Sequence, residues 1–251
     1  MTEINFYYST SLSSFDHLAQ SFREVLGEQV TIRGNRMLFA PSFASGSIDY
    51  HELGPGLAAV IVNMTLVKTL RARRPAIPGN DNYKILFNIG SAPIDITETS
   101  GQTITLNGNL SESVLFSSHT TSAGIVMHAG MPVKAVLVIF HRSWGIQHLL
   151  HNTIPLGIKR LTQFANARPM LFTGNLDLRS LALVKEIMHL PRKLPLLPQL
   201  LEGYVYQLVA LFFNNIVVEE MGEQHIISRM PCLSYNLKNR LSTTWTMPCP
   251  R

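Results

Sequence analysis

The feature that most constrains this chain is a change of texture near residue 141. Between residues 30 and 140, apolar or alternating runs of four to eight residues are separated by clusters of Gly, Pro, Asn and Ser, which is the pattern of strands and turns. Eight strands are predicted, over residues 37–40, 46–53, 57–64, 84–89, 103–106, 113–117, 124–128 and 133–140. No helical stretch separates them, and parallel neighbours need a long crossover, so they are expected to pair antiparallel. Eight short antiparallel strands close into a barrel or a roll. Gly54-Pro55-Gly56 reads as a tight connection between two of them. Residues 67–79 fit this scheme least, reading as a long structureless connection, either a lid or a loose loop.

Past residue 141, apolar residues recur at helical spacing over 147–150, 158–164, 178–190 and 196–221, with Pro155, Pro169, Pro191, Pro195 and Pro198 as interruptions. Residues 169–172 suit a short extended piece. Ahead of the strands, residues 12–26 place Phe15, Leu18, Phe22, Val25 and Leu26 on one helical face, and Gly27 follows where a helix can stop. The expected class is α+β, an antiparallel barrel or roll followed by a helical subdomain. The boundaries expected are 1–141 for the mostly β part with its leading helix, 142–221 for the helical part and 222–251 for a tail.

The longest helix carries Leu197, Leu201, Tyr204, Leu208 and Leu211 on one stripe, widened by Leu200, Val205 and Val209. So broad a stripe suits two placements: a central core helix, or a helix that packs on its own domain and meets its copy in a homodimer.

Composition excludes several classes. Apolar residues make up 46% of the 251, enough for a core, while charged residues make up 15% with no block of five or six like charges, so no disordered arm is expected. The longest apolar stretches, residues 56–62 and 205–213, fall short of the roughly 18 residues of a membrane span, so no membrane partner is expected. The first residues lack the basic and apolar regions of a secretory signal, and the two cysteines, Cys232 and Cys249, form no disulfide framework; a cytoplasmic location follows. The net charge of +5 includes one dense basic cluster, Lys68, Arg71, Arg73 and Arg74. Without interleaved aromatics it reads as a solvated loop rather than a nucleic-acid site.

Catalytic signatures are missing. No Gly-x-Ser-x-Gly elbow, no GxGxxG and no GxxxxGK[ST] occurs, and the acidic residues show no obvious pair. The nine histidines lack metal-ligand spacing: His148 and His151 are three apart with no carboxylate nearby in sequence. No metal and no cofactor are expected. His119 and His128, at the ends of neighbouring strands, are placed to point into a barrel and hydrogen-bond a ligand, or to sit at its rim.

Taken in order, RMLFAPSFASGSIDYHELGPGLAAVIVNMTL, MPVKAVLVIFHRSWGIQHLL and LLEGYVYQLVALFF resemble the regulatory half of AraC-family transcription regulators. The resemblance implies a cupin-like barrel over 37–140 that holds a small effector, and a helix over 196–221 that pairs two subunits. The closing NLKNRLSTTWTMPCPR is similar to the opening of the family's DNA-binding half. No helix-turn-helix can be placed after residue 221, so DNA contact is expected only through a domain absent from this chain. Strand alternation puts Met37 and Phe39 on one face and Tyr50 and Glu52 on one face of the next strand, the inner face being set by pairing. Phe39, Tyr50, His128 and Trp144 are the pocket candidates. Two rival functions are a cupin-type enzyme with a metal on His51, His119 and His128, and a dimerising module that binds no ligand.

Overall fold

Amphipathic spacing becomes structure first in α1 (Leu12–Leu26), whose Phe15, Leu18 and Phe22 are buried and which ends at Gly27 in a positive-φ conformation of 58°. The structure, a computed structural model, describes residues 3–6, 10–99, 101–108, 110–150 and 157–239, with the backbone alone for 12–14 and 223–239. His151, Pro155 and residues 240–251 with Cys249 lie outside the described residues, as does the side chain of Cys232.

Among the described residues, thirteen strands form two sheets. The smaller has the order β1 (Ile4–Asn5), β6 (Leu70–Arg74), β11 (Ala123–Met127), β8 (Ile94–Glu98), β9 (Thr103–Leu106). The larger has the order β13 (Leu171–Gly174), β10 (Val114–Ser118), β7 (Asn82–Asn88), β12 (Pro132–His141), β5 (Leu57–Leu66), β4 (Ala44–Gly54), β3 (Arg36–Phe39), β2 (Val30–Arg33). Pairing is antiparallel throughout except between β1 and β6. All eight predicted strands are present. The sheets face each other across one core that includes Met37, Ile48, Met64, Ala72, Ile94, Ile96, Val133 and Leu137, and α1 packs against its margin through Leu18 and Phe22.

The back of the larger sheet is covered by α2 (Arg142–His148), α3 (Lys159–Ala165), α4 (Leu178–His189) and α5 (Leu197–Asn239), which enclose a second core. This explains why β12 reads as a continuous apolar run. Val133, Ala135, Leu137 and Ile139 belong to or border the first core, while Val136, Val138 and Phe140 belong to the second, so both faces are buried. Beneath the helices the rings of Tyr83, Phe116, Phe140, Phe164, Phe212 and Phe213 interlock; Phe116 stacks on Phe212 at 5.6 Å and Phe164 meets Tyr83 edge-on at 4.8 Å. The architecture is thus α+β, an antiparallel barrel-like roll followed by helices.

Three expectations are corrected. Residues 67–79 are not structureless: they contain β6, which pairs on both sides, and its alternation exposes Arg71 and Arg73 while burying Ala72 and Arg74. α2 begins five residues before the predicted 147 because His141 accepts a hydrogen bond from Ser143 N and so caps the helix. α5 runs on past residue 221 to Asn239. Its apolar length, Leu197–Gly222, would suffice to cross a bilayer by composition, but Leu201, Val205, Leu208, Val209 and Phe212 are spent on the second core.

Candidate functional site

The first core is not completely filled. An apolar cavity of about 70 Å³ lies between the sheets, lined from β4, β5, β7 and β12 by Ile48, Val62, Met64, Leu86, Ala135 and Leu137, and from α1 by Leu18 and Phe22. One polar side chain lines it: Lys84 of β7. Strand alternation places it there, since Tyr83, Ile85 and Phe87 face the helices while Lys84 and Leu86 face the barrel.

Lys84 has polar neighbours. Ser117 of β10 is its direct cross-strand partner, and His119 follows just past the end of β10, close enough for the charges of Lys84 and Arg74 to act on it. The His119 backbone is fixed on both sides, its N–H donating to Asn82 O at 3.0 Å and its O accepting from Ile77 N at 3.0 Å. Arg74, at the end of β6, reaches across from the smaller sheet, donating from Nη1 to Ser118 O at 3.0 Å and from Nη2 to Thr121 Oγ1 at 3.1 Å. All four side chains are buried, with Arg74, Ser117 and His119 at 1%, 0% and 1% exposure. Ser117 Oγ and both ring nitrogens of His119 have no hydrogen-bond partner among the described residues. Burial, then the charges of Arg74 and Lys84, pushes His119 down to about 2, so its ring is neutral. Burial, then Arg74, likewise holds the Lys84 amine well below the ordinary lysine range.

The four residues proposed from sequence do not meet. Phe39 is half-buried between Phe22 and Phe43, with ring centroids 5.8 and 5.7 Å away, and fastens α1 to β3. Tyr50 is buried and donates from its hydroxyl to Ser11 O at 2.9 Å, tying the start of α1 to β4. His128 is 41% exposed at the rim, with Nε2 2.7 Å from Asp95 Oδ2. Trp144 lies in the second core, 5.7 Å from Phe140 and 5.0 Å from Tyr206. None of them lines the cavity. Of the three histidines in the enzyme reading, only His119 reaches the interior cluster, and no group of three His, Cys, Asp or Glu able to hold a metal occurs among the described residues.

A second polar cluster lies outside the barrel. Asp49 forms ion pairs with Arg36, whose Nε lies 3.0 Å from Oδ1, and with Arg192, whose Nη2 lies 3.1 Å from Oδ2, which joins β3 and β4 to the connection between α4 and α5 over a groove of about 410 Å³ that His51 also lines. Burial raises the Asp49 pKa against the attraction of Arg36.

The stripe predicted to pair subunits divides. Leu201 and Leu208 are 0% exposed against the chain's own core, so they cannot form an interface. Tyr204 and Leu211 remain partly exposed and, with Gln207, Ala210 and Asn214, face an open groove whose other wall is Arg179, Ala182, Leu183 and Glu186 of α4.

No family model matches the sequence, and no curated protein does. Among solved structures the chain is similar to apo ToxT from Vibrio cholerae, at 16% identity and a TM-score of 0.47, over 66% of this chain and 58% of that one. It is also similar to the AraC-like transcriptional activator CuxR, at 12% identity and a TM-score of 0.38, over 66% of this chain and 55% of that one. An oxalate decarboxylase of B. subtilis is similar at 16% identity and a TM-score of 0.27, over 60% of this chain and 36% of that one. The likeness is one of fold. The matched regions span less than two thirds of each of these proteins.

Proposed function

We propose that this chain is the effector-sensing and dimerising part of an AraC-type transcription regulator of the cytoplasm, which contacts DNA through a helix-turn-helix domain outside this sequence. The observation that carries the reading is the apolar cavity between the sheets, closed by α1 and with the polar side chain of Lys84 in its lining, which suits a small molecule held inside the fold. A ligand enclosed there binds the folded state alone and raises its stability. A thermal-shift screen of sugars, siderophores, aromatics and organic acids tests this. A saturable rise in melting temperature that Ala135→Phe abolishes by filling the cavity supports sensing; no rise with any compound leaves a module that binds no ligand.

The paired form uses the outer face of α4 and α5. Ala182, Leu183, Ala210 and Leu211 supply an apolar strip, with Arg179 near one end of α4 and Glu186 near the other. A second copy related by a two-fold axis brings Arg179 of each protomer to Glu186 of the other. Leu211→Asp places an unpaired charge in that strip and is expected to yield monomers in sedimentation. A monomeric parent protein sinks the dimer.

A further inference from the structure

The groove outside the barrel carries a charge pattern that the fold alone does not account for. In the β2–β3 hairpin Arg33 stands directly opposite Arg36, and Arg36 in turn stands opposite Asp49 of β4. Directly opposed residues share a sheet face with their Cβ atoms about 5 Å apart, and like charges so placed destabilise a hairpin. Arg36 has its counterion in Asp49, but that carboxylate is shared with Arg192 of the α4–α5 connection, and both guanidinium groups also donate to Ser47 Oγ, at 3.1 and 3.3 Å. Arg33 is exposed and makes no hydrogen bond or ion pair among the described residues. Three arginines thus line one groove against one carboxylate, an excess of two positive charges. His51 adds none: burial, against the pull of Asp49, lowers its pKa from the usual 6.5, so its ring is neutral at physiological pH.

We propose that this groove is a second ligand site, separate from the cavity between the sheets, and that it takes a phosphate monoester. Near neutral pH such a group carries close to two negative charges on three terminal oxygens, which matches the excess charge and gives each arginine an acceptor. The planar guanidinium suits phosphate because it can donate two parallel hydrogen bonds. A phosphate beside Arg33 and Arg36 also removes the repulsion between them. The body of the ester lies along Ile61, Met188 and Leu190, with Asn63 to meet a hydroxyl. Small-molecule sites start at about 300 Å³, so a groove of about 410 Å³ has room for one ring or a short chain beside the phosphate. No Phe, Tyr or Trp lines it, which leaves a nucleotide base without a ring to stack on and favours a sugar phosphate or another small ester. Arg33 belongs to the barrel and Arg192 to the helical part, so an occupied site ties one to the other.

The test is calorimetric titration of the full chain with glucose 6-phosphate, glycerol phosphate and phenyl phosphate. Glucose, glycerol and phenol are the uncharged counterparts, phenyl sulfate is a monoanion of like shape, succinate is a dianion without phosphorus, and inorganic phosphate lacks a body. At least one ester is expected to bind saturably and at least about tenfold more tightly than every one of these. Arg33→Met is expected to fold and, with the opposed charge gone, to melt no lower than the parent without ligand, yet to bind the ester at least about tenfold more weakly, the worth of one charge-assisted hydrogen bond. A merely structural Arg33 would instead lower the melting temperature and leave the affinity unchanged. Should Arg33→Met fail to fold, Arg192→Gln serves in its place, with the same loss of affinity expected. Absence of ester binding, equal binding of any counterpart, or parental affinity in the variant overturns the assignment. Ligands of the cavity are expected to bind Arg33→Met as they bind the parent, so failure of this site leaves the sensing reading intact.

Discussion

Glu220 gives the sharpest test of how the helical part is held on the barrel. α3 starts at Lys159 with Ile158 as its N-cap, a residue with no side-chain acceptor, so its first amides need one from elsewhere. Glu220 of α5 supplies it across 61 residues of sequence: Oε2 accepts from Lys159 N at 2.5 Å and Oε1 from Arg160 N at 3.0 Å, while Arg160 Nε stands 3.6 Å away. The carboxylate is 10% exposed, and it also carries negative charge to the positive end of the helix. Loss of a cap costs about 0.5–2 kcal/mol, and a buried donor left without a partner costs about 1–3 kcal/mol. With some water entering the gap, Glu220→Ala is expected to destabilise by about 3 kcal/mol, and Glu220→Gln, which keeps one acceptor oxygen, by about 1 kcal/mol. For a chain of this size each kcal/mol lowers the melting temperature by about 2–4 °C, so the alanine variant should melt about 6–12 °C lower by circular dichroism. Glu219→Ala is the control, since that neighbour only forms an exposed ion pair with Arg160, worth about 0–1 kcal/mol. If Glu220→Ala melts within about 2 °C of the parent, or no lower than Glu219→Ala, the cap does not hold α3.

Two further substitutions probe the second core and its acid sensitivity. Asp177 caps α4 through Arg179 N and Ser180 N and also accepts from Asn215; burial raises its pKa, but the bonds from Ser180, Asn215 and Arg179 outweigh this and hold it below the usual 3.8. A depressed folded-state pKa gives stability that is present above the unfolded value and lost as pH falls through the folded one. Asp177→Asn should therefore lower the urea midpoint at pH 7, by about 1 kcal/mol in stability, with the difference from the parent shrinking below about pH 4; a difference that does not vary with pH argues against the charge. Gly145 of α2 allows the ring cluster to close, because a Cβ there would lie 2.7 Å from Phe164 Cζ and 3.1 Å from Phe140 Cε2. Gly145→Ala should destabilise by about 1–2 kcal/mol, overpacking exceeding the roughly 1 kcal/mol gain in helix propensity, and should alter near-ultraviolet dichroism. A higher melting temperature would show that the rings have slack.

The larger features of the fold were readable because their signals are local. Alternation and turn residues marked eight strands, and helical spacing marked α1 over the range it occupies. Four strands were missed, β1, β2, β6 and β8, and three of them fail for identifiable reasons. β1 has two residues and is held by β6 alone, β2 follows a 3-10 turn directly after α1, and β6 was hidden by its arginines, which resemble a loop until Leu70, Ala72 and Arg74 are read as one face. The broad stripe of α5 could not show which of its sides was already used. Burial of Leu201 and Leu208 is decided by the second core they join, which includes Val136 and Val138 of β12, more than 60 residues away in sequence.

The interior cluster was less readable than the fold because it is a product of register. Lys84 and Ser117 are 33 residues apart and meet only because β7 and β10 pair in that alignment; a shift of one residue would send both to the opposite face. Arg74 comes from the other sheet, and nothing local distinguishes it from the exposed Arg71 and Arg73 except its place in the alternation. Aromatic residues commonly line pockets, yet in this chain most rings pack between elements: Phe39 against α1, Trp144 under α5. The signal that was available lies in the polar residues of otherwise apolar strands. Lys84 interrupts an apolar run, and Ser117 and His119 occupy alternate positions at the end of another. A buried strand does not carry a lysine without cost. A charged residue in such a run is therefore a better guide to an interior binding site than an aromatic one, because burial of the ring stabilises the fold by itself and burial of the amine does not.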